Sequence, residues 1–93
     1  MRTIKHSSAF KRDYKREKRS RHSATLDNDI VFVLTALAND QPLDLRYSDH
    51  DLGGEWAGYR ECHLKPDLLL IYRKVDVTIL RLARLGSHSE LFG

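Results

Sequence analysis

The run Leu68-Leu69-Leu70-Ile71-Tyr72 constrains this chain more than any other segment. Its residues are apolar at odd and even positions alike, so an extended conformation presents hydrocarbon to both faces of a sheet. A strand of that kind belongs at a sheet's centre. It falls well short of the ~20 apolar residues of a membrane span. Short links at Lys65-Pro66 and Val75-Asp76 bracket it. Ala57 to Leu64 reads as a strand before it. Val77 to Leu85 reads as one after it, alternating Val77, Ile79 and Arg81 against Thr78, Leu80 and Leu82. Links so short join neighbours, so Ala57–Leu64, Asp67–Lys74 and Val77–Leu85 are predicted to form an antiparallel meander.

The N-terminal half supplies a cover. Leu26, Ile30, Val33, Leu34 and Leu37 recur at helical spacing. Asp27 and Asp29 stand near the start of that helix, where the backbone dipole favours acids, and Asn39, Asp40 and Pro42 end it. An earlier helix opens at Ser7 or Ser8, whose side chains cap free N–H groups, and carries Phe10 and Tyr14 four apart on one face. Ser20 to Ser23 read as the break between the two. Thr3 and Ile4 suit a first strand, and Gly53, Gly54 and Gly58 mark turns ahead of the meander. The predicted fold is α+β: an N-terminal strand and a helical hairpin packed on one face of a twisted antiparallel β-sheet, in a single domain over residues 1–93. A domain of this length buries a modest core, so a bound partner matters to its stability.

The formal net charge is only +3, but it is unevenly spread. Between Lys11 and Arg21 lie seven of the sixteen basic residues, with Asp13 and Glu17 the only acids. That density exceeds what solubility needs and suits a polyanion, of which phosphate backbones are the commonest in a cell. Lys11, Lys15 and Arg19 are the candidate contacts of this helix to RNA or the ribosome. The opening MRTIKHSSAF has charged and polar residues where a signal peptide needs an apolar run, so the expected compartment is the cytoplasm, with no membrane partner. A single cysteine, Cys62, excludes an internal disulfide and a multi-cysteine metal site, and reads as a small buried residue.

Five histidines are many for 93 residues. His6 and His22 lack chemical neighbours in the N-terminal region and read as surface residues. The other three behave differently. His50 closes the irregular polar stretch Tyr47-Ser48-Asp49-His50, His63 ends the first meander strand, and His88 follows Gly86-Ser87 just past the third. The Lys65-Pro66 turn sets His63 near Asp67, and the antiparallel third strand brings Gly86-Ser87-His88 alongside Asp67. His50 joins them if its loop folds over that edge. Alternation also puts Tyr59, Glu61 and His63 on one face, whereas Arg60 has the opposite parity and shares that face only across a bulge.

Such a group suits RNA cleavage. The 2′-hydroxyl must lose a proton, the 5′-oxygen must gain one, and charge on the phosphate must be stabilised. Histidine serves as acid or base near neutrality, aspartate orients a histidine or acts as base, and arginines such as Arg60, Arg81 and Arg84 stabilise the developing charge. No cofactor is called for. A zinc site from His50, His63 and His88 is a competing reading, weakened by the lack of close-spaced ligand pairs. Trp56 and Tyr59 read as packing residues. Phe92 is either tucked into the core or poised over a base.

From Tyr47 onward the chain carries a long pattern: His50, Gly54, Trp56-Ala57-Gly58-Tyr59-Arg60, His63, Pro66-Asp67, Leu70-Ile71-Tyr72, then Gly86, His88 and the ending Leu91-Phe92-Gly93. In these residues it resembles the YafQ family of bacterial toxins, within the RelE/ParE superfamily. The resemblance implies a helical hairpin on an antiparallel sheet, a ribosome-dependent mRNA endonuclease, and a cognate antitoxin that holds it inactive. It further implies that His50, His63, Asp67 and His88 match the family's catalytic residues and Phe92 a terminal aromatic needed for activity. One departure stands out: family members can carry tryptophan after Pro-Asp, where this chain has Leu68. If that ring helps stack the substrate, mRNA placement here differs.

The leading expectation is metal-independent cleavage of mRNA on the 70S ribosome, leaving a 2′,3′-cyclic phosphate and a 5′-hydroxyl. The alternative is a ParE-like, non-enzymatic inhibitor of DNA gyrase, whose binding surface has no need of convergent histidines. A plain nucleic-acid-binding module using the basic helix is a third reading.

Overall fold

The computed structural model describes residues 1–93. Strand β1 spans Thr3–His6, helix α1 Ser8–Glu17, helix α2 Leu26–Ala38, and strands β2 to β5 span His50–Asp51, Arg60–Lys65, Leu68–Lys74 and Ile79–Gly86. A five-residue helix, α3, follows at His88–Phe92. The strands form one sheet in the order β1-β5-β4-β3-β2. The predicted meander is there, with antiparallel pairing from β2 through β5, while β1 joins the outer side of β5 in parallel. The apolar run occupies the middle strand, and all five of its residues are buried.

The two sides of β4 enter different cores. Leu68, Leu70 and Tyr72 meet Phe10, Leu26, Val33, Leu34 and Leu37 of the hairpin, together with Cys62, Leu80, Leu82 and Leu85. Each leucine fully buried there contributes roughly 1.5–3 kcal/mol relative to remaining exposed. Leu69 and Ile71 point the other way, into a smaller cluster with Ala83 and Leu91 that Leu52, Trp56 and Tyr59 flank. Leu68 therefore sits wholly inside the hairpin-side core, so the position after Pro66-Asp67 is a packing position in this chain.

Helix α1 begins where the N-capping Ser7 side chain accepts the Phe10 N–H. Its inward stripe is not purely apolar: Phe10, Asp13 and Glu17 are its buried residues. The acids have a reason to be inside. β1 ends at His6 and leaves the outer edge of β5 bare, and α1 takes over that edge. The Ser7 N–H donates to the Leu82 carbonyl and its hydroxyl to Ala83, the Asp13 carboxylate accepts the Leu85 N–H, and Arg16 donates to the Leu85 carbonyl. Backbone groups that would stand unpaired at a sheet edge are thereby satisfied, Leu82 by the Ser7 backbone and Ala83 and Leu85 by side chains.

Candidate active site

The open face of the sheet carries the polar residues. By register His50 lies opposite Glu61, and His63 lies opposite Leu69, which in turn lies opposite Gly86. His50 is not in a loose loop as its polar surroundings suggested. It lies on the edge strand β2, whose pairing with β3 fixes its ring 6.4 Å from that of His63. Its Nε2 stands 2.9 Å from a Glu61 carboxylate oxygen and its Nδ1 2.5 Å from the Ser48 carbonyl oxygen. Each ring nitrogen thus faces an oxygen acceptor.

Glu61 was legible only as a residue sharing a face with His63. In the fold it is a buried carboxylate, and its second oxygen has no hydrogen-bond partner. A buried polar atom left unpaired costs about 1–3 kcal/mol, so this oxygen is open to a hydrogen-bond donor.

His88 opens α3. The capping box that starts this helix pairs the Ser87 hydroxyl with the Glu90 N–H and the Glu90 carboxylate with the Ser87 N–H. Serine followed three residues later by glutamate is the sequence signal for this helix. Leu91 anchors α3 in the open-face core, while His88 is exposed and Phe92 is 38% exposed, their rings 5.0 Å apart. Phe92 is thus not tucked into the core; it rides beside His88 on a helix.

A second device holds α3. Arg16 reaches from α1 to bind Asp13, Glu17, the Leu85 carbonyl and, at 3.0 Å, Glu90. Gly86 makes room for it, since a Cβ there would stand 2.6 Å from the Arg16 guanidinium. The Ser87 N–H chiefly holds the Glu90 carboxyl below its ordinary range. Burial raises the pKa of Asp13, but the hydrogen bonds from Arg84 and Leu85 N–H and the charges of Arg84 and Arg16 outweigh it.

The remaining candidates divide. Asp67 sits at the β3–β4 turn, where Arg21 and, at 3.5 Å, His22 take its carboxylate; no hydrogen bond joins it to His63 or His88. His22 is correspondingly no surface histidine, because its side chain is only 11% exposed beside Asp67. The link between α1 and α2 folds onto that turn, a long-range contact that local sequence does not announce. Arg60 stays on the hairpin side, as its parity required: the β3 bulge lies beyond it, between His63 and Lys65. There it donates to Asp49 and Asp51 and approaches the Tyr72 hydroxyl. Burial, then the bond to Asp49, pushes the Tyr72 phenol above its ordinary range. Arg84 is bound to Asp13 at 2.7 Å. Arg81, Lys11, Lys15 and Arg19 are exposed and make no ion pair. Burial pushes the Cys62 thiol far up, which removes it from consideration as a nucleophile.

This arrangement, a sheet with a hairpin on one side and a histidine-bearing open face closed by a short C-terminal helix, is shared with small toxins of type II toxin–antitoxin systems. Residues 2–93 match the family described as "Bacterial toxin of type II toxin-antitoxin system, YafQ". The chain belongs to the YafQ family. It is 40% identical over 93 residues to the Escherichia coli K12 protein named mRNA interferase toxin YafQ, covering 99% of this chain and 97% of that protein. Its fold superposes on the toxin in the crystal structure of the E. coli DinJ-YafQ complex with a TM-score of 0.81, at 36% identity and full coverage of both chains. A metal-bound toxin from Helicobacter pylori superposes with a TM-score of 0.82 at 44% identity, covering 99% of this chain and 100% of that one.

Proposed function

We propose that this chain is the mRNA-cleaving toxin of a type II toxin–antitoxin pair, acting on ribosome-bound mRNA by metal-independent acid–base catalysis. The observation that carries the reading is the open-face group of His50, Glu61 and His63, with His88 and Phe92 on a helix capped and clamped at the facing strand end. The scissile phosphate would lie between the paired imidazoles and His88. One imidazole takes the 2′-hydroxyl proton, the 2′-oxygen attacks phosphorus, and the other gives a proton to the departing 5′-oxygen. The products are a 2′,3′-cyclic phosphate and a 5′-hydroxyl. Asp67, held by Arg21 and His22, fixes the turn that follows His63. Phe92 offers a ring face to a base. Lys11, Lys15 and Arg19, and on the sheet Arg81, supply charge toward RNA; Arg60 and Arg84 act through their internal ion pairs.

The partners proposed are a cognate antitoxin, as in the relative crystallised with DinJ, and the 70S ribosome with its rRNA and mRNA, in the cytoplasm. No helix is long and apolar enough to cross a membrane. The relative from H. pylori binds metal, but no three His, Cys, Asp or Glu side chains here stand close enough together to hold one, so no step is routed through a metal. Primer-extension mapping of mRNA on ribosomes, with and without the protein, tests the reading. Defined cuts in translated mRNA only, bearing 2′,3′-cyclic phosphate ends, are expected. They should persist with toxin stripped by chelator. Cleavage that returns only on adding zinc, or inhibition of gyrase without cleavage, would overturn it.

A further inference from the structure

Apart from Arg46, whose guanidinium donates to the Tyr47 hydroxyl, the cations without an ion pair fall into two groups. One is the exposed face of α1 and the turn that follows it, which carries Arg19. The other lies on the sheet, where register places Lys5 of β1 opposite Arg81 of β5, and Arg81 opposite Arg73 of β4. All three are exposed, and none has an ion pair or hydrogen bond to a neighbouring side chain. Like charges directly opposite one another on adjacent strands are destabilising, and three in a row have no packing purpose. Strand alternation sets them on the open face, since Ile4, Tyr72, Leu80 and Leu82 take the hairpin side. Lys5 and Arg81 border a groove also lined by Trp56 and Tyr59. The Arg73 guanidinium lies 5.7 Å from the centre of the Tyr59 ring, which meets Trp56 edge-on. Cations interleaved with aromatic faces on one side of a sheet match what a single-stranded polyanion with stackable bases requires.

The row also stands in a fixed relation to the proposed chemistry, on which this inference rests. His63 lies opposite Leu69 of β4, and Arg73 is four residues further along that strand, about 13 Å away at the rise of an extended chain. We infer that Lys5, Arg81 and Arg73, with Trp56 and Tyr59, form a track for the phosphate backbone of the mRNA segment flanking the cleaved bond. The basic helix is separate: its cations project from α1, at the far edge of β5.

The test uses a labelled single-stranded 2′-O-methyl RNA, which lacks the attacking hydroxyl and so binds without being cut. Anisotropy titrations across salt compare the wild type with the triple variant Lys5→Gln, Arg73→Gln, Arg81→Gln. The slope of log affinity against log salt should become shallower by about 2, from roughly 0.7 per single-strand phosphate, while affinity for ribosomes without mRNA stays within about twofold. The variant should melt no earlier than the wild type, because repulsion has been removed. Arg73→Lys with Arg81→Lys should retain most of the slope. An unchanged RNA slope in the triple variant overturns the track, as does a loss confined to mRNA-free ribosomes, which would make the row an rRNA contact. If the wild type failed to cleave on ribosomes yet the slope changed as expected, the cleavage reading would fall and the track would stand.

Discussion

On the hairpin side of the sheet, 15 buried residues form one continuous apolar cluster, while the open side has four, ringed by His50, Glu61, His63 and a row of cations. The strands are the same; only the parity differs. Leu68, Leu70 and Tyr72 face a cover made of two helices, and Leu69 and Ile71 face a five-residue helix and the rings of Trp56 and Tyr59. Stability is concentrated where the cover is complete. The face left uncovered can then hold a buried, half-satisfied carboxylate and adjacent like charges, because the other side compensates for them.

That contrast is open to attack from both sides. The largest effect should come from His88→Ala, which removes a proposed general acid–base group: cleavage on programmed ribosomes should fall ~10²–10⁴-fold, with the melting curve and antitoxin binding unchanged. An unfolded variant would mean that the open face also sustains the fold. Leu70→Ala should do the reverse, lowering stability by about 2–5 kcal/mol in urea melts while the remaining folded protein cleaves normally. Glu61→Gln should leave stability unchanged or raised, since a desolvated charge is lost, and slow single-turnover cleavage about tenfold or more. Normal cleavage by it would remove Glu61 from the site. Neutralising Lys11, Lys15 and Arg19 should weaken ribosome association and flatten its salt dependence, yet leave the rate at saturation close to wild type; a slow rate at saturation would put α1 in the chemistry.

The smallest effect concerns the network joining α1 to α3. Asp13 and Glu90 have lowered pKa values in the folded state. Their contribution is fully present above the unfolded values of about 3.9 and 4.3 and is lost as pH falls through the folded ones. Melts between pH 6 and pH 3 should show this decline, less steeply in Asp13→Asn. Glu90→Gln keeps the helix cap, because glutamine also fills that position of a capping box, but loses the charge pair with Arg16. It should raise hydrogen exchange in α3 alone.

Much of this was legible beforehand. The two-sided run of β4, the stripe of α2 and the short links specify local choices that agree with one another, and the hairpin and meander follow. The parity of Arg60 and Glu61 was readable too, because alternation is local. What escaped reading depends on contacts between distant segments. His22 looked isolated because the turn that brings it to Asp67 lies over forty positions away. Arg84 looked free because its partner is on α1. The acids of α1 appeared as minor interruptions of a basic surface, although they are its inward face. α3 was missed for a different reason: its capping box was visible, but five residues make a helix only when something holds them, and Leu91 and Arg16 are remote from any local signal.

The parallel pairing of β1 with β5 bears on how the molecule comes together. Thr3 lies opposite Ile79, so nearly the whole chain must be looped before that ladder can form. The β3–β4–β5 meander needs only neighbouring contacts and has no such entropic barrier. Folding should therefore begin in the meander, with β1 and the α1 contacts to Leu85 and Arg84 closing last. The basic helix and the clamp on α3 would then be among the first parts released when the molecule opens, so a toxin caught part-way would have its central sheet formed while the His88 helix was still unsecured.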